Sequence, residues 1–133
     1  MAEKIQGGCL CGTVRFELEP EFIMYRYCFC SRCRKVRGTI HAANLFVEPH
    51  RFAWLAGEDR VNCYTLEGAR FGNCFCTQCG SPVPRQTQGG KSMLIPAGSL
   101  DTDPGSQPEC AIFWDSRVAW LPVADALEKR LEY

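Results

Sequence analysis

Two short cysteine clusters of nearly identical sequence are the feature that most constrains this chain. CFCSRC at 28–33 places three cysteines in six positions, and CFCTQC at 74–79 does the same. Cysteines at C-x-C or C-x-x-C spacing can bind one metal ion on a tight turn, and a structural zinc site takes four ligands. Each cluster supplies three. The sequence therefore predicts metal sites and leaves the fourth ligand of each to be found.

The number and grouping of the cysteines favour metal binding over disulfides. Ten cysteines occur in 133 residues, and eight of them stand in tight groups. These groups are Cys9/Cys11, Cys28/Cys30/Cys33 and Cys74/Cys76/Cys79. A secreted disulfide scaffold spreads its cysteines in pairs and begins with a signal peptide, whereas the first residues here, MAEKIQGG, contain no apolar run. We therefore expect a soluble, cytoplasmic protein with reduced cysteines.

Charge and length exclude several classes of protein. The 15 lysines and arginines balance 15 aspartates and glutamates, and the sequence pI is about 6.7. A protein that binds nucleic acid or a membrane surface normally has a basic excess, so neither partner is expected. No apolar stretch of the sequence approaches the length that a membrane-spanning helix requires. A chain of 133 residues is most simply one domain, which we assign to residues 1–133.

Short strands dominate the predicted secondary structure. TVRFEL (13–18) alternates with period two and places Val14, Phe16 and Leu18 on one face. Further strands are predicted at 22–27, 43–48, 61–66, 93–98 and 111–114, separated by turn-rich segments. This pattern indicates a mainly β fold of packed antiparallel sheets. One helical turn capped by a serine is predicted at 31–36, and a short C-terminal helix at 123–133.

The first metal site is predicted from two pairs of cysteines that share a local pattern. Cys9-Leu10-Cys11-Gly12 and Cys76-Thr77-Gln78-Cys79-Gly80 both end in cysteine–glycine. Glycine permits a positive φ there, so the chain can turn back and direct backbone N–H groups toward the thiolates. Together the pairs supply four sulfurs, a complete structural zinc site. An alternative is that Cys74 is a ligand in place of one N-terminal cysteine.

The second site, Cys28/Cys30/Cys33, has no obvious fourth ligand. It could be closed by one of five residues: Cys63, Cys74, Cys110, His41 or His50. It could instead stay open for water or a substrate thiol, and the spacing does not choose between these readings. Three thiolates on a divalent ion carry a net charge of about −1, which makes the metal a poor source of hydroxide but still able to hold a thiol as thiolate. An open site would therefore suit thiol chemistry better than hydrolysis.

Three longer motifs carry a resemblance to a known family. GGCLCGTVRFEL, CFCSRCRKVRG and FCTQCGSPV, in this order and spacing, resemble the glutathione-dependent formaldehyde-activating enzyme and centromere protein V family, which has an Mss4-like fold. The similarity continues more weakly through AGSLD and FWDSRVAW, so it covers nearly the whole chain. It implies two zinc ions per chain. The implied ligands are Cys9, Cys11, Cys76 and Cys79 for a structural zinc and Cys28, Cys30 and Cys33 for a second, reactive zinc.

The resemblance also implies an activity. The family joins glutathione to formaldehyde to give S-hydroxymethylglutathione, formally the reverse of a carbon–sulfur lyase reaction. The residues suggest that the glutathione sulfur occupies the fourth zinc position, loses its proton and attacks the aldehyde carbon. A non-catalytic zinc-stabilised binding module of the Mss4-like type is the alternative, and a closed second site would favour it. Metal or redox sensing through the additional cysteines is a third possibility.

A run of basic residues flanks the second cysteine cluster. Arg32, Arg34 and Lys35 follow within CFCSRCRKVRG. They could form a solvated face that offsets the negative charge of the cluster. They could also bind the carboxylates of a glutathione-like substrate, and we take them as candidate substrate-binding residues.

Overall fold

The computed structural model describes residues 3–133, which contain eleven β-strands and one α-helix. The first strands are β1 (Ile5–Gly8), β2 (Arg15–Leu18), β3 (Phe22–Cys28), β4 (Ala42–Val47), β5 (Phe52–Ala56) and β6 (Val61–Thr65). They are followed by β7 (Gly72–Cys76), β8 (Pro82–Val83), β9 (Arg85–Gln86), β10 (Met93–Pro96) and β11 (Cys110–Ile112). The helix, α1, spans Ser31–Arg37 between β3 and β4. Short 3₁₀ turns occupy parts of the remaining connections.

The strands form three sheets. Two have three strands, in the orders β1-β2-β5 and β6-β7-β8, and the third has five, in the order β11-β3-β4-β10-β9. Neighbouring strands pair antiparallel except β11, which runs parallel to β3. The sequence-based prediction of a mainly β fold with packed antiparallel sheets is confirmed.

The main hydrophobic core lies between the β1-β2-β5 sheet and one face of the five-stranded sheet. Its buried members are Ile5, Phe16, Leu18, Leu45, Val47, Met93 and Ile95. The predicted alternation of TVRFEL is confirmed, because Val14, Phe16 and Leu18 are almost completely buried, whereas Arg15 and Glu17 are not. Successive side chains of a strand point to opposite faces of its sheet, so these positions share one face. Val14 precedes β2 and packs in a second cluster beside Cys9 and Cys76.

The two faces of the five-stranded sheet have different roles. In β4, Leu45 and Val47 belong to the core, so Asn44 and Phe46 point to the opposite face. The register aligns Asn44 with Arg26 of β3 on one side and with Pro96 of β10 on the other. This second face, which α1 borders, is the floor of a cavity described below.

The helices differ from the prediction at both places where one was expected. Helix α1 forms, but its N-cap is Cys30 rather than a serine, and its C-cap is Gly38 with φ 64°. The predicted C-terminal helix at 123–133 is wrong, since the segment contains only a 3₁₀ turn at Ala124–Ala126. The apolar residues that suggested it, such as Leu127 and Leu131, are exposed. A short amphipathic helix without a surface to pack against is marginal in water.

No helix within residues 3–133 combines the length and the apolar character that crossing a bilayer requires.

Candidate metal centres and the adjoining cavity

The structure brings together the four cysteines that the sequence analysis grouped as the first metal site. Cys9 and Cys11 follow β1, whereas Cys76 ends β7 and Cys79 stands in the next turn. Cys11 Sγ lies 3.6 Å from Cys9 Sγ and 3.9 Å from Cys76 Sγ. A tetrahedron with Zn–S bonds of 2.3 Å has edges of about 3.8 Å. The four-sulfur cluster therefore has the size of a zinc site.

Glycine turns and backbone donors shape the four-sulfur cluster. Gly12 and Gly80 have φ of 82° and 78°, as the cysteine–glycine pattern predicted. The sulfur of Cys9 accepts a hydrogen bond from the Val14 N–H at 3.2 Å. Hydrogen bonds from the hydroxyl and the backbone N–H of Ser81 lower the pKa of Cys79 to about 5. Donors of this kind stabilise the thiolate form in which cysteine binds a metal.

Cys74 is not part of this cluster but forms a disulfide with Cys63. The two residues lie opposite each other in the register of β6 and β7. The sequence-based interpretation of Cys74 as a metal ligand is therefore wrong. Cys63, which is exposed, was considered as a ligand that could close the second site, and the disulfide engages its sulfur as well. The expectation that the cysteines would all be reduced also fails at this pair. The other eight cysteines are free.

The three cysteines of CFCSRC also converge. Cys28 ends β3, Cys30 caps α1 and Cys33 lies in its first turn, and their sulfurs lie within 4.8 Å of one another. The Cys30 sulfur accepts a hydrogen bond from the Cys33 N–H at 3.3 Å, which is the N-cap interaction of the helix. Phe71 and Ile112 pack against the cluster. One strand end and one helix start therefore position all three thiols.

Without a bound cation, burial and mutual repulsion prevent the three thiols of this cluster from all ionising together. Burial raises the pKa of the Cys28 and Cys33 thiols, and the neighbouring sulfurs raise that of Cys33 further. Burial also opposes ionisation of Cys30, but the Cys33 N–H and the neighbouring thiols outweigh it and lower its pKa. A divalent cation would supply the positive charge that three adjacent thiolates need. The donor set fits zinc, which binds thiolate sulfur readily.

The five residues proposed to close the second site do not reach it. Within residues 3–133, no further His, Cys, Asp or Glu ligand atom lies within 4.8 Å of all three sulfurs. His41 stacks on Tyr27, with ring centroids 4.2 Å apart, and its Nδ1 lies 3.1 Å from the Ala42 carbonyl oxygen. His50 is exposed beside Glu48, and Cys110 is exposed on β11.

A cavity of about 530 Å³ adjoins the three-cysteine cluster. Its volume lies within the range of small-molecule sites. One end is formed by the three cysteines, and the floor by residues of β3, β4, β9 and β10. Phe71, from the loop before β7, and Ile112 and Phe113 complete the apolar part of the wall. The thiols therefore open onto an enclosed surface that combines apolar and charged groups.

The basic residues predicted to bind substrate are distributed unequally around this cavity. Arg32 lines it, whereas Arg34 and Lys35 are not among its lining residues. The Arg34 side chain turns back, and its Nε donates to the Phe29 carbonyl oxygen at 3.4 Å. Lys35 is exposed to solvent and does not line the cavity. Only one of the three candidates is therefore placed to contact a bound molecule.

Several cavity residues were missed by the sequence analysis. Arg26, Asn44, Arg70 and Arg85 all line it. Arg26 could have been predicted, because it stands two residues before Cys28 in a strand and must share its face. Arg85 could not, since its two-residue strand has no sequence signal. Burial lowers the pKa of Arg85, while the nearby Cys33 opposes that shift.

Comparison with known proteins places this arrangement in a family. A protein from Halomonas elongata named "Putative glutathione-dependent formaldehyde-activating enzyme" is 26% identical over 141 aligned positions, covering 95% of this chain and 85% of that protein. A crystal structure of a Rhodobacter sphaeroides protein superposes with a TM-score of 0.61 at 24% identity, covering 77% of this chain and 97% of the other, which supports the fold. The family model described as "Glutathione-dependent formaldehyde-activating enzyme" matches residues 4–116. The chain belongs to the glutathione-dependent formaldehyde-activating enzyme family.

Proposed function

We propose that this protein is a zinc-dependent enzyme that joins a thiol such as glutathione to a small aldehyde such as formaldehyde. In the reaction, the thiolate sulfur attacks the carbonyl carbon, a C–S bond forms and the C=O π bond breaks. The alkoxide then takes a proton from solvent. The overall chemistry is that of a carbon–sulfur lyase running toward synthesis. We include a cytoplasmic location in the proposal, because a thiol substrate such as glutathione is kept reduced there; the Cys63–Cys74 disulfide is the exception to that reducing environment.

One observation carries this proposal. Three cysteine sulfurs converge at the end of a 530 Å³ cavity, and the described residues provide no fourth ligand atom within 4.8 Å of them all. Four-sulfur clusters serve structure, whereas a three-ligand cluster facing a cavity leaves room for a substrate atom. The cluster is thus positioned to receive a thiol, and the family description names glutathione and formaldehyde.

We assign two zinc ions to the chain on the basis of their donor sets. Cys9, Cys11, Cys76 and Cys79 would hold the structural ion. Cys28, Cys30 and Cys33 would hold the second. When bound there, zinc supplies the positive charge that lowers the pKa of a thiol and keeps it as thiolate near neutral pH.

The chain's own residues contribute confinement and charge. Phe71 and Ile112 pack against the cysteine cluster and limit the access of water to it. Guanidinium groups line the cavity and favour a negatively charged substrate. No carboxylate or histidine is among the cavity-lining residues of the described chain, so neither kind of side chain is placed there to act as a general base.

The alternative, a non-catalytic zinc-stabilised binding module, requires the second site to be closed by a fourth protein ligand. The positions of Cys110, His41 and His50 and the Cys63–Cys74 disulfide give no support to such closure. The geometry thus favours the enzyme.

The test is a measurement of catalysed exchange, because the uncatalysed addition is itself fast. Exchange of ¹³C-labelled formaldehyde with glutathione is followed by two-dimensional exchange NMR, with and without zinc-loaded protein. We expect the protein to raise the exchange rate about tenfold or more above the uncatalysed rate. Cys30→Ser should abolish the increase, whereas Cys110→Ser should keep it, since Cys110 is exposed and outside both cysteine groups. Wild-type protein with two zinc ions but no effect on exchange would contradict the proposal and favour the binding module.

A further inference from the structure

We propose that Arg26, Asn44 and Arg85, on the floor that the five-stranded sheet gives to the cavity, are the residues that determine substrate specificity, and that they bind an amino-acid-type carboxylate of the thiol substrate. This deepens the function proposed above and rests on it for the position of the thiol. It assigns carboxylate recognition to residues of the sheet rather than to Arg34 and Lys35 of α1, which do not line the cavity.

The sheet register places these three side chains at the right distances from the thiols. Arg26 precedes Cys28 by two residues on β3, so their Cα atoms are about 7 Å apart on the same face. Asn44 is the direct partner of Arg26 on β4. Arg85 lies on β9, three strands from β3 in the sheet order, which corresponds to roughly 14 Å. A molecule with its sulfur at the cysteines could therefore extend across this floor.

The positive charge of the arginines that line the cavity exceeds the negative charge of the cysteine cluster with zinc bound. Its lining contains four arginines and, among the described residues, no aspartate or glutamate. These are Arg26, Arg32, Arg70 and Arg85. A zinc-bound three-thiolate cluster carries a net charge of about −1. Glu109, whose carboxylate lies 3.5 Å from Arg26 Nε, offsets one more arginine. About two positive charges remain to bind an anionic ligand.

Two buried polar atoms on the floor form no hydrogen bond. Asn44 is only 7% exposed, and its Oδ1 is buried without a hydrogen bond. Arg26 Nε is also buried without a hydrogen bond, although it forms an ion pair with the Glu109 carboxylate at 3.5 Å. Buried polar groups are nearly always hydrogen-bonded, so such exceptions mark places where water or a polar ligand group binds. A carboxylate would accept from the guanidinium, and an adjacent ammonium or amide N–H would donate to the Asn44 amide oxygen.

The chemical class of the ligand follows from these two requirements together. A simple anion satisfies arginine but offers no donor to Asn44. A neutral thiol satisfies neither. An amino-acid or peptide group supplies a carboxylate next to an N–H donor, and the partly buried arginines bind it more strongly than fully solvated ones would. Arg34 and Lys35, which do not line the cavity, cannot provide these contacts.

The test compares three ligands by isothermal titration calorimetry on zinc-loaded protein. Glutathione has both the thiol and the carboxylates, glutathione diethyl ester keeps the thiol but has no carboxylate, and S-methylglutathione keeps the carboxylates but has no free thiol. Each is titrated into wild type, Arg85→Gln and Arg85→Lys. Arg130→Gln is the matched control, because it removes one positive charge from an exposed residue that does not line the cavity. Circular dichroism checks that every variant is folded.

We expect the diethyl ester to bind wild type roughly 10- to 100-fold more weakly than glutathione, the usual effect of losing a charge-assisted hydrogen bond. Arg85→Gln should weaken the binding of glutathione by a similar factor and leave the affinity for the ester unchanged. Arg85→Lys should bind glutathione more tightly than Arg85→Gln does, because it keeps the positive charge. Arg130→Gln should change nothing. The inference would be overturned if the ester bound wild type as tightly as glutathione does. It would also be overturned if Arg85→Gln reduced the affinities for glutathione and for the ester by the same factor.

S-methylglutathione separates this inference from the proposed function. If both are right, it binds more weakly than glutathione but still depends on Arg85. If it binds as tightly as glutathione and shows the same dependence, the carboxylate site stands and thiol binding at the cysteines does not. If the diethyl ester binds wild type as tightly as glutathione and the protein catalyses formaldehyde–glutathione exchange, the proposed function is supported and the carboxylate site is contradicted.

Discussion

Cys63 and Cys74 lie directly opposite each other on β6 and β7 and are joined by a disulfide. Cys74 precedes Cys76, a member of the four-sulfur cluster, by two residues on β7. The disulfide thus reinforces the strand that carries Cys76, a proposed metal ligand. It closes a short loop of the chain, with a sequence separation of 11.

Removal of this disulfide should lower stability without removing a metal. Cys63→Ser should reduce the free energy of unfolding by about 2–3 kcal/mol, the size expected from chain entropy for a loop of this length. Guanidinium unfolding of oxidised wild type and variant measures the difference. Native mass spectrometry should find the same zinc content in both. Thiol titration after denaturation and chelation should find eight free thiols in wild type, and ten would contradict the disulfide.

Loss of one ligand should distinguish the two metal centres. Wild type should contain two zinc ions per chain. Cys30→Ser should contain one and remain folded, whereas Cys76→Ser should lose the structural ion and unfold more readily, since metal-binding energy at such sites is folding energy. Native mass spectrometry and thermal melts measure the two effects. Cys110→Ser serves as the control, and a folded Cys76→Ser variant that still holds two zinc ions would refute the assignment.

Truncation in the main core should be strongly destabilising. Phe16 has no exposed surface and stacks on Phe52 with ring centroids 5.7 Å apart. Phe16→Ala should therefore cost about 3–5 kcal/mol of unfolding free energy. Tyr64→Ala, at an exposed aromatic on β6, should cost far less. Chemical denaturation measures both, and equal losses would mean that the core is not where the structure places it.

Acid should weaken an ion pair that connects β2 to the segment after β10. Arg15 Nη2 donates to Asp101 Oδ2 at 2.6 Å, and this hydrogen bond lowers the pKa of Asp101 below its ordinary 3.8. A carboxyl whose pKa is lower in the folded state adds stability above the unfolded pKa, and that stability disappears as pH falls through the folded pKa. The effect should be small, because Asp101 is exposed.

The comparison of wild type with Asp101→Asn isolates this effect from acid release of zinc, which both proteins share. The urea midpoint of wild type should exceed that of Asp101→Asn at pH 6, and the two should converge as pH falls below about 4. A difference that persists unchanged at pH 3 would show that the ion pair is not its cause.

The strands with regular alternation were predictable, and those defined by their neighbours were not. TVRFEL and FIMYRY signal their structure locally, and both form strands. The β1 sequence IQGG and the two-residue β9 carry little local signal and are strands because of the chains beside them. The C-terminal segment shows the reverse case, in which helical spacing is present but no packing surface supports it.

The sulfur groups were predictable because ligand spacing along the chain is short. Cys28, Cys30 and Cys33 could be grouped from the sequence alone. The disulfide could not be predicted, since it depends on the register of β6 against β7. The floor of the cavity was also hidden, because Arg85 joins Arg26 only through the order β3-β4-β10-β9.

The alternation of β3 and β4 between core and cavity has a consequence for how this protein can diverge. Arg26 and Asn44 line the cavity. Their neighbours along the strands, Tyr25 and Leu45, contact the core on the other side of the same sheet. The lining of the cavity and the packing of the core are thus encoded in alternating positions of the same strands, so each can change without the other. Insertion of one residue into β3 would exchange the two sets, so this family should tolerate substitution in that strand far better than a change in its length.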